Sequence, residues 1–374
     1  MRPAITVGLL FVLGVAATGA ARADEPAPLG ASSCSSSGCH GGAGERSDQF
    51  VIWSQRDVHS RSYATLTTAR SARMAEALSI AEPAASPRCV VCHAPLAGVA
   101  PSRLGAGVEA TEGVSCVSCH DIPSNWLRGH TRKDWTHAER VAAGMRDLDD
   151  LYTRANACVA CHQNIDPALV ALGRHPALIF ELDGQTQDEP RHWRERAGEI
   201  GAQAWFVGQA VALREVSWAM LNGRADSARS VPAWEGLAWL LARSGLDYGI
   251  PAIDPAAPSP GALASAVEAA DLLAKRAAQR WDPRSPGIVL RRLAATSGDF
   301  LAAVTAQTTQ ASRAERLVLS LDRLLDALPA AQRPPGSSER LDRLFHLAQS
   351  QPDFAPADFA RELEGFSRTL GAGG

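Results

Sequence analysis

Cys158-Val159-Ala160-Cys161-His162 repeats a pattern already present at Cys89-Val90-Val91-Cys92-His93 and at Cys116-Val117-Ser118-Cys119-His120. A stretched version, Cys34-Ser35-Ser36-Ser37-Gly38-Cys39-His40, lies upstream, and together the four use every cysteine in the chain. In a C-x-x-C-H motif the two thiols become thioethers to the vinyl groups of haem c, and the next residue supplies the proximal iron ligand. The expected cofactor is therefore four covalently bound haem c groups. Cys34, Cys39, Cys89, Cys92, Cys116, Cys119, Cys158 and Cys161 would attach them, with His40, His93, His120 and His162 as proximal ligands.

Other uses of paired cysteines explain less. A zinc site does not need a histidine directly after every pair, and a redox dithiol usually occurs once, near a βαβ pattern that is missing here. The first motif is the weakest, because two extra residues must loop out between its sulfurs. Ser35, Ser36, Ser37 and Gly38 are small and turn-prone, which permits the bulge. The alternative there is a Cys34–Cys39 disulfide in an exported protein.

Residues 1–23 have the form of a cleavable signal peptide. Arg2 precedes an apolar run from Ile5 to Ala17, and Ala21-Arg22-Ala23 is an A-x-A cleavage site. The expected location is the periplasm, with a mature chain starting near Asp24. No later segment supplies the roughly 20 consecutive apolar residues of a membrane span. The net charge of −3 gives no reason to expect nucleic acid or an anionic membrane as a partner.

The rest of the chain falls into two unlike parts. From 24 to 198 it is rich in Cys, His, Gly and Pro, with short helical pieces and little apolar periodicity, so the macrocycles themselves must serve as core. From 199 to 374 there is no cysteine and the apolar residues follow a 3.6-residue period. Helices are expected over Ala202–Asn222 and Ala262–Arg280, separated by the breaker Pro255-Ala-Ala-Pro258-Ser-Pro260. Ser312-Arg-Ala-Glu315 reads as a capping box opening a helix through Leu317, Leu321, Leu324 and Leu328. Two more are marked by Leu341, Leu344, Phe345 and Ala348, and by Phe359, Leu363, Phe366 and Leu370. The fold class is thus mainly α: a haem-cored tetrahaem cytochrome domain of short helices and loops, then an antiparallel helical bundle. The bundle carries no chemistry of its own, His346 and Met220 reading as packing residues, and it is a candidate docking or dimerisation element.

Six histidines remain: His59, His130, His137, His175, His192 and His346. They decide between relay and catalyst, because a second imidazole gives a six-coordinate, low-potential carrier and an empty position admits a small molecule. His130 follows His120 too closely to reach the opposite face of the same ring comfortably. Met74 and Met145 fit helix packing better than ligation.

Asp57-Val-His59-Ser-Arg-Ser-Tyr63, Trp126-Leu127 with His130-Thr131, and His175-Pro176-Ala-Leu-Ile-Phe180, with the order of the motifs, resemble the multihaem cytochrome c family that includes cytochrome c-554. The resemblance covers roughly residues 33–193 and leaves the bundle outside; the widened first motif departs from the family pattern. It implies that His59 ligates the third haem, His130 the first and His175 the fourth, with the second haem five-coordinate. His192 or His137 would be the residue to cap that second iron. The implied function is single-electron transfer between periplasmic donor and acceptor proteins. The alternative is an enzyme acting on a small nitrogen or oxygen species at the second haem, with Asp121, Arg132, Asp134 and His137 as candidate proton donors.

Overall fold

The computed structural model describes residues 26–123, 125–195, 201–246, 258–302, 305–350 and 353–371. The signal peptide, the division at 198/199 and positions 255–257 of the breaker lie outside the described residues. Among those described, 65% are helical in 17 α-helices and none is in a strand, so the chain is mainly α as expected.

Ten short helices come first: α1 (Gln49–Gln55), α2 (Ser62–Leu66), α3 (Ala69–Ala77), α4 (Pro87–His93), α5 (Cys116–His120), α6 (Trp126–Gly129), α7 (His137–Ala142), α8 (Leu151–His162), α9 (Pro167–Ala171) and α10 (Leu182–Asp188). Each regular motif occupies a helix end, α4, α5 and α8 all closing on the motif histidine. Aliphatic packing before α8 is sparse. Among the described residues its apolar cluster consists of Leu66, Val90 and Ala94 with Tyr63, Ala84 and Cys89 around them.

The second part is a true aliphatic core. It holds α11 (Gly201–Leu221), α12 (Ser227–Ser244), α13 (Pro260–Gln279), α14 (Ser285–Ala294), α15 (Gln307–Asp326), α16 (Ser337–Ala348) and α17 (Pro356–Gly371). Helix α11 is apolar on nearly all sides, and it is the central helix, with Trp205, Phe206, Val207 and Leu213 fully enclosed. The buried tryptophans of this core each find an acceptor: Trp205 Nε1 donates to Ser320 Oγ (3.0 Å), Trp234 to Ser217 Oγ (2.8 Å) and Trp239 to Asp299 Oδ2 (2.8 Å).

The expected helices of this part are present, with one boundary corrected. Helix α15 starts at Gln307, so Ser312 lies inside it and the capping-box reading fails. The preceding turn is held because Thr309 Oγ1 donates to Glu235 Oε2 and Gln310 Nε2 to the Asp299 carbonyl (2.5 and 2.9 Å). Helices α12 and α14 were not expected. In α12 an internal Pro232 disguises the pattern, although it forfeits only one backbone bond.

The two parts share their packing. Leu151, Ala155 and Val159 of α8, with Phe180 and Leu182, belong to the same core as α11 to α17. Gly208 on α11 permits this contact, since a Cβ there would stand 2.9 Å from Leu182 Cβ. The helix that carries the fourth motif is thus seated directly on the bundle.

Candidate haem sites

Three of the four motif histidines are fixed through Nδ1. His40 Nδ1 meets Gln49 Oε1 at 3.0 Å, and His93 Nδ1 meets Thr65 Oγ1 at 2.9 Å and the Ser62 carbonyl at 3.2 Å. His162 Nδ1 lies 3.2 Å from the Gln185 side-chain amide, whose Oε1 has no partner. With iron on Nε2 the Nδ1 atom carries the proton, and rotating that amide by half a turn presents Oε1 as the acceptor. His120 Nδ1 is buried without a partner. Burial pushes His120 down to about 4, and it also lowers His93 and His162, which keeps these imidazoles neutral as iron ligation requires.

Three of the remaining histidines stand opposite a motif histidine. The rings of His40 and His130 are centred 6.1 Å apart, those of His59 and His162 6.0 Å, and those of His93 and His175 6.4 Å. These too are held at Nδ1: His59 by Asp57 Oδ1 (3.0 Å), His130 by the Leu127 carbonyl and His175 by the Pro176 carbonyl (2.9 Å). The bond to Asp57 is the first cause that raises the pKa of His59.

His192 is placed by its neighbours. Its Nδ1 lies 3.4 Å from the Pro190 carbonyl, and its ring stands against Trp193 at 5.2 Å. Trp193 Nε1 donates to Glu195, and Glu195 is paired with the buried Arg154 of α8 at 2.7 Å. His192 is near enough to His120 and to Asp57 for its charge to lower the pKa of both.

These residues fit haem on three grounds. Two metal–nitrogen bonds of about 2 Å in line, with a ring radius of about 1 Å at each end, separate opposed imidazole centres by roughly 6 Å. Ligating histidines characteristically hold their second nitrogen on a carboxylate or carbonyl, which is the pattern here. Large apolar side chains also stand exposed beside the sites, Val58 at 68%, Val91 at 61% and Leu172 at 60%, where a macrocycle would cover them. His137 differs: its Nε2 is taken by Asp147 (2.9 Å), and Asp149 lies 3.7 Å away. His346 is exposed on α16.

The pairing departs from the one implied by resemblance. His130 does face His40, but His59 lies against His162 instead of being paired with His120, and His175 lies against His93 instead of His162. Chain folding accounts for this. Asp57 caps the 3₁₀ turn Val58–Arg61 and fixes the ring of His59, while the turn after α9 directs His175 toward α4. Sequence reading also missed the residues that hold these rings, Gln49, Ser62, Thr65 and Gln185, and the half-buried Glu189, which shares a cluster with Asp57 and His59. Burial first, then the charge of Asp57, raises the pKa of Glu189. Only the D-x-H order at Asp57 gave any signal, as an Asx-type cap.

The cysteines of different motifs also meet. The Cys34 thiol hydrogen-bonds Cys116, and Cys92 hydrogen-bonds Cys161. In each pair the shared hydrogen bond holds one thiol near 7 and pushes its partner up, since only one sulfur can carry the charge. Burial raises Cys119 to about 11 and Cys158 to about 12, and Cys158 also feels the charge of Cys119. No disulfide joins Cys34 to Cys39 in the structure.

No curated protein and no solved structure matches the chain. Residues 33–121, about a quarter of the chain, match the family model of cytochrome c554 and c-prime. That stretch holds the first three motifs, and there the chain is similar to c-type cytochromes with covalently bound haem c.

Proposed function

We propose that this chain is a periplasmic tetrahaem c-type cytochrome that relays single electrons between a donor and an acceptor protein. Bound haem c supplies reversible one-electron exchange at iron. The chain's contribution is ligand choice, burial and spacing. His40 with His130 and His162 with His59 would hold two of the irons, and His192, read in the sequence as a cap for the second haem, lies by His120 and would join it in holding the third.

The observation that carries this reading is the order of the attachment sulfurs. Cys34 touches Cys116, Cys119 neighbours Cys158, and Cys161 touches Cys92. This order supports four sites arranged in one row: first motif, third, fourth, second. Such a row serves conduction from end to end. An enzyme would need proton donors gathered above one iron, and the candidates are engaged elsewhere. Asp121 pairs with Arg146 (3.1 Å), Arg132 with the exposed Asp134, and His137 with Asp147.

A coulometric titration tests the proposal. The purified full chain should take up and return four electrons reversibly, without consuming nitrite, hydroxylamine or peroxide. Steady turnover of such a compound at the protein's own iron would overturn it.

A further inference from the structure

We infer that His175 supplies the sixth ligand of the second iron, opposite His93, so that no open coordination position remains in this protein; the inference rests on the haem reading above. The His93 and His175 rings are centred 6.4 Å apart with planes at 71°, and the Nδ1 of each is already bound, to Thr65 and Ser62 on one side and to Pro176 on the other. Nε2 is the atom each has left to offer.

Three features of the chain aim His175 at this position. Arg174 adopts φ +58, a left-handed conformation that a side-chain-bearing residue rarely takes. It completes the turn that ends α9, where Gly173 N bonds the Ala168 carbonyl and His175 N bonds the Leu169 carbonyl (3.2 and 2.9 Å). At the other end of α9, its N-cap Asp166 is paired with Arg88 at 2.6 Å, and Arg88 immediately precedes Cys89 on α4. The helix that leads to His175 is thereby clamped to the helix that carries the second motif. Leu172, three residues before His175, and Val91, between Cys89 and Cys92, are both largely exposed.

The test uses the haem-loaded full chain and reads spin state and CO binding. Ferric protein should show low-spin iron only, and the ferrous form should bind no CO. His175→Ala should convert about one in four irons to a high-spin, CO-binding form, and added imidazole should reverse this. If His175→Ala fails to load the second site, His175→Met serves instead and should keep that iron low-spin at a raised potential. The inference is overturned if the unsubstituted protein already has one high-spin, CO-binding iron that neither substitution changes. Absence of covalent haem altogether would instead sink the cytochrome reading itself.

Discussion

Replacing Asp57 with Asn should raise the potential of a single iron. Asp57 is 2% exposed, and its Oδ1 lies 3.0 Å from His59 Nδ1. An iron on the far nitrogen of that ring stands about 7 Å from the carboxylate, the imidazole width and one metal–nitrogen bond of about 2 Å added to the hydrogen bond. A unit charge at that distance in an effective dielectric near 20 is worth about 2 kcal/mol. For a one-electron couple this corresponds to about 100 mV. The carboxylate favours the ferric state, so its removal shifts the potential upward, while asparagine keeps the acceptor oxygen and hence the ligand geometry. Glu189 complicates the measurement, because loss of the Asp57 charge lowers its pKa and a newly ionised Glu189 would restore part of the field. The comparison is therefore made in a Glu189→Gln background. Spectroelectrochemical titration should show one of four waves displaced by about 100 mV and the others by much less. If no wave moves while the iron stays low-spin, His59 is not the ligand described here.

Three further outcomes are expected. Arg154→Ala removes the partner of Glu195, leaving a carboxylate whose side chain is 14% exposed; it should cost about 3 kcal/mol and release His192, seen as new high-spin signal from one iron, which Arg154→Lys should reduce. Burial, then Glu181, raises the Asp183 carboxyl to about 8 against Arg323, so its contribution to stability is full below the unfolded value of 3.8 and is lost as pH rises through about 8. Thermal melts at pH 6 and 9 should accordingly differ less in Asp183→Asn than in the unsubstituted chain. Phe359 is fully buried against Phe300 (4.6 Å) and Phe354 (5.6 Å); Phe359→Ala should lower denaturant stability by about 3–5 kcal/mol and leave the haem spectrum unchanged.

The three regular C-x-x-C-H motifs stand out in the sequence because thioether attachment would tie two cysteines and a histidine to a five-residue spacing, from which the seven-residue Cys34–His40 stretch departs. Helices α13, α16 and α17 were legible because each buries one periodic face, and α11 because its apolar run is nearly unbroken. What could not be read was which histidines meet. His59 and His162 are over a hundred positions apart, and their encounter depends on the Asp57 cap and on the seating of α8 against α11. The clamp from Arg88 to Asp166 is equally silent in sequence, since each residue alone reads as an ordinary surface charge. The start of α15 was misplaced because Ser312 satisfies a capping pattern, while tertiary bonds at Thr309 and Gln310 extend the helix by more than a turn.

The most direct test of the account is the intact mass of the purified chain under denaturing conditions, together with its iron content. The mass should exceed that of the polypeptide by four haem groups, with four irons per chain and a Soret band that survives unfolding. A mass equal to that of the bare polypeptide, or haem that washes out on denaturation, would contradict it.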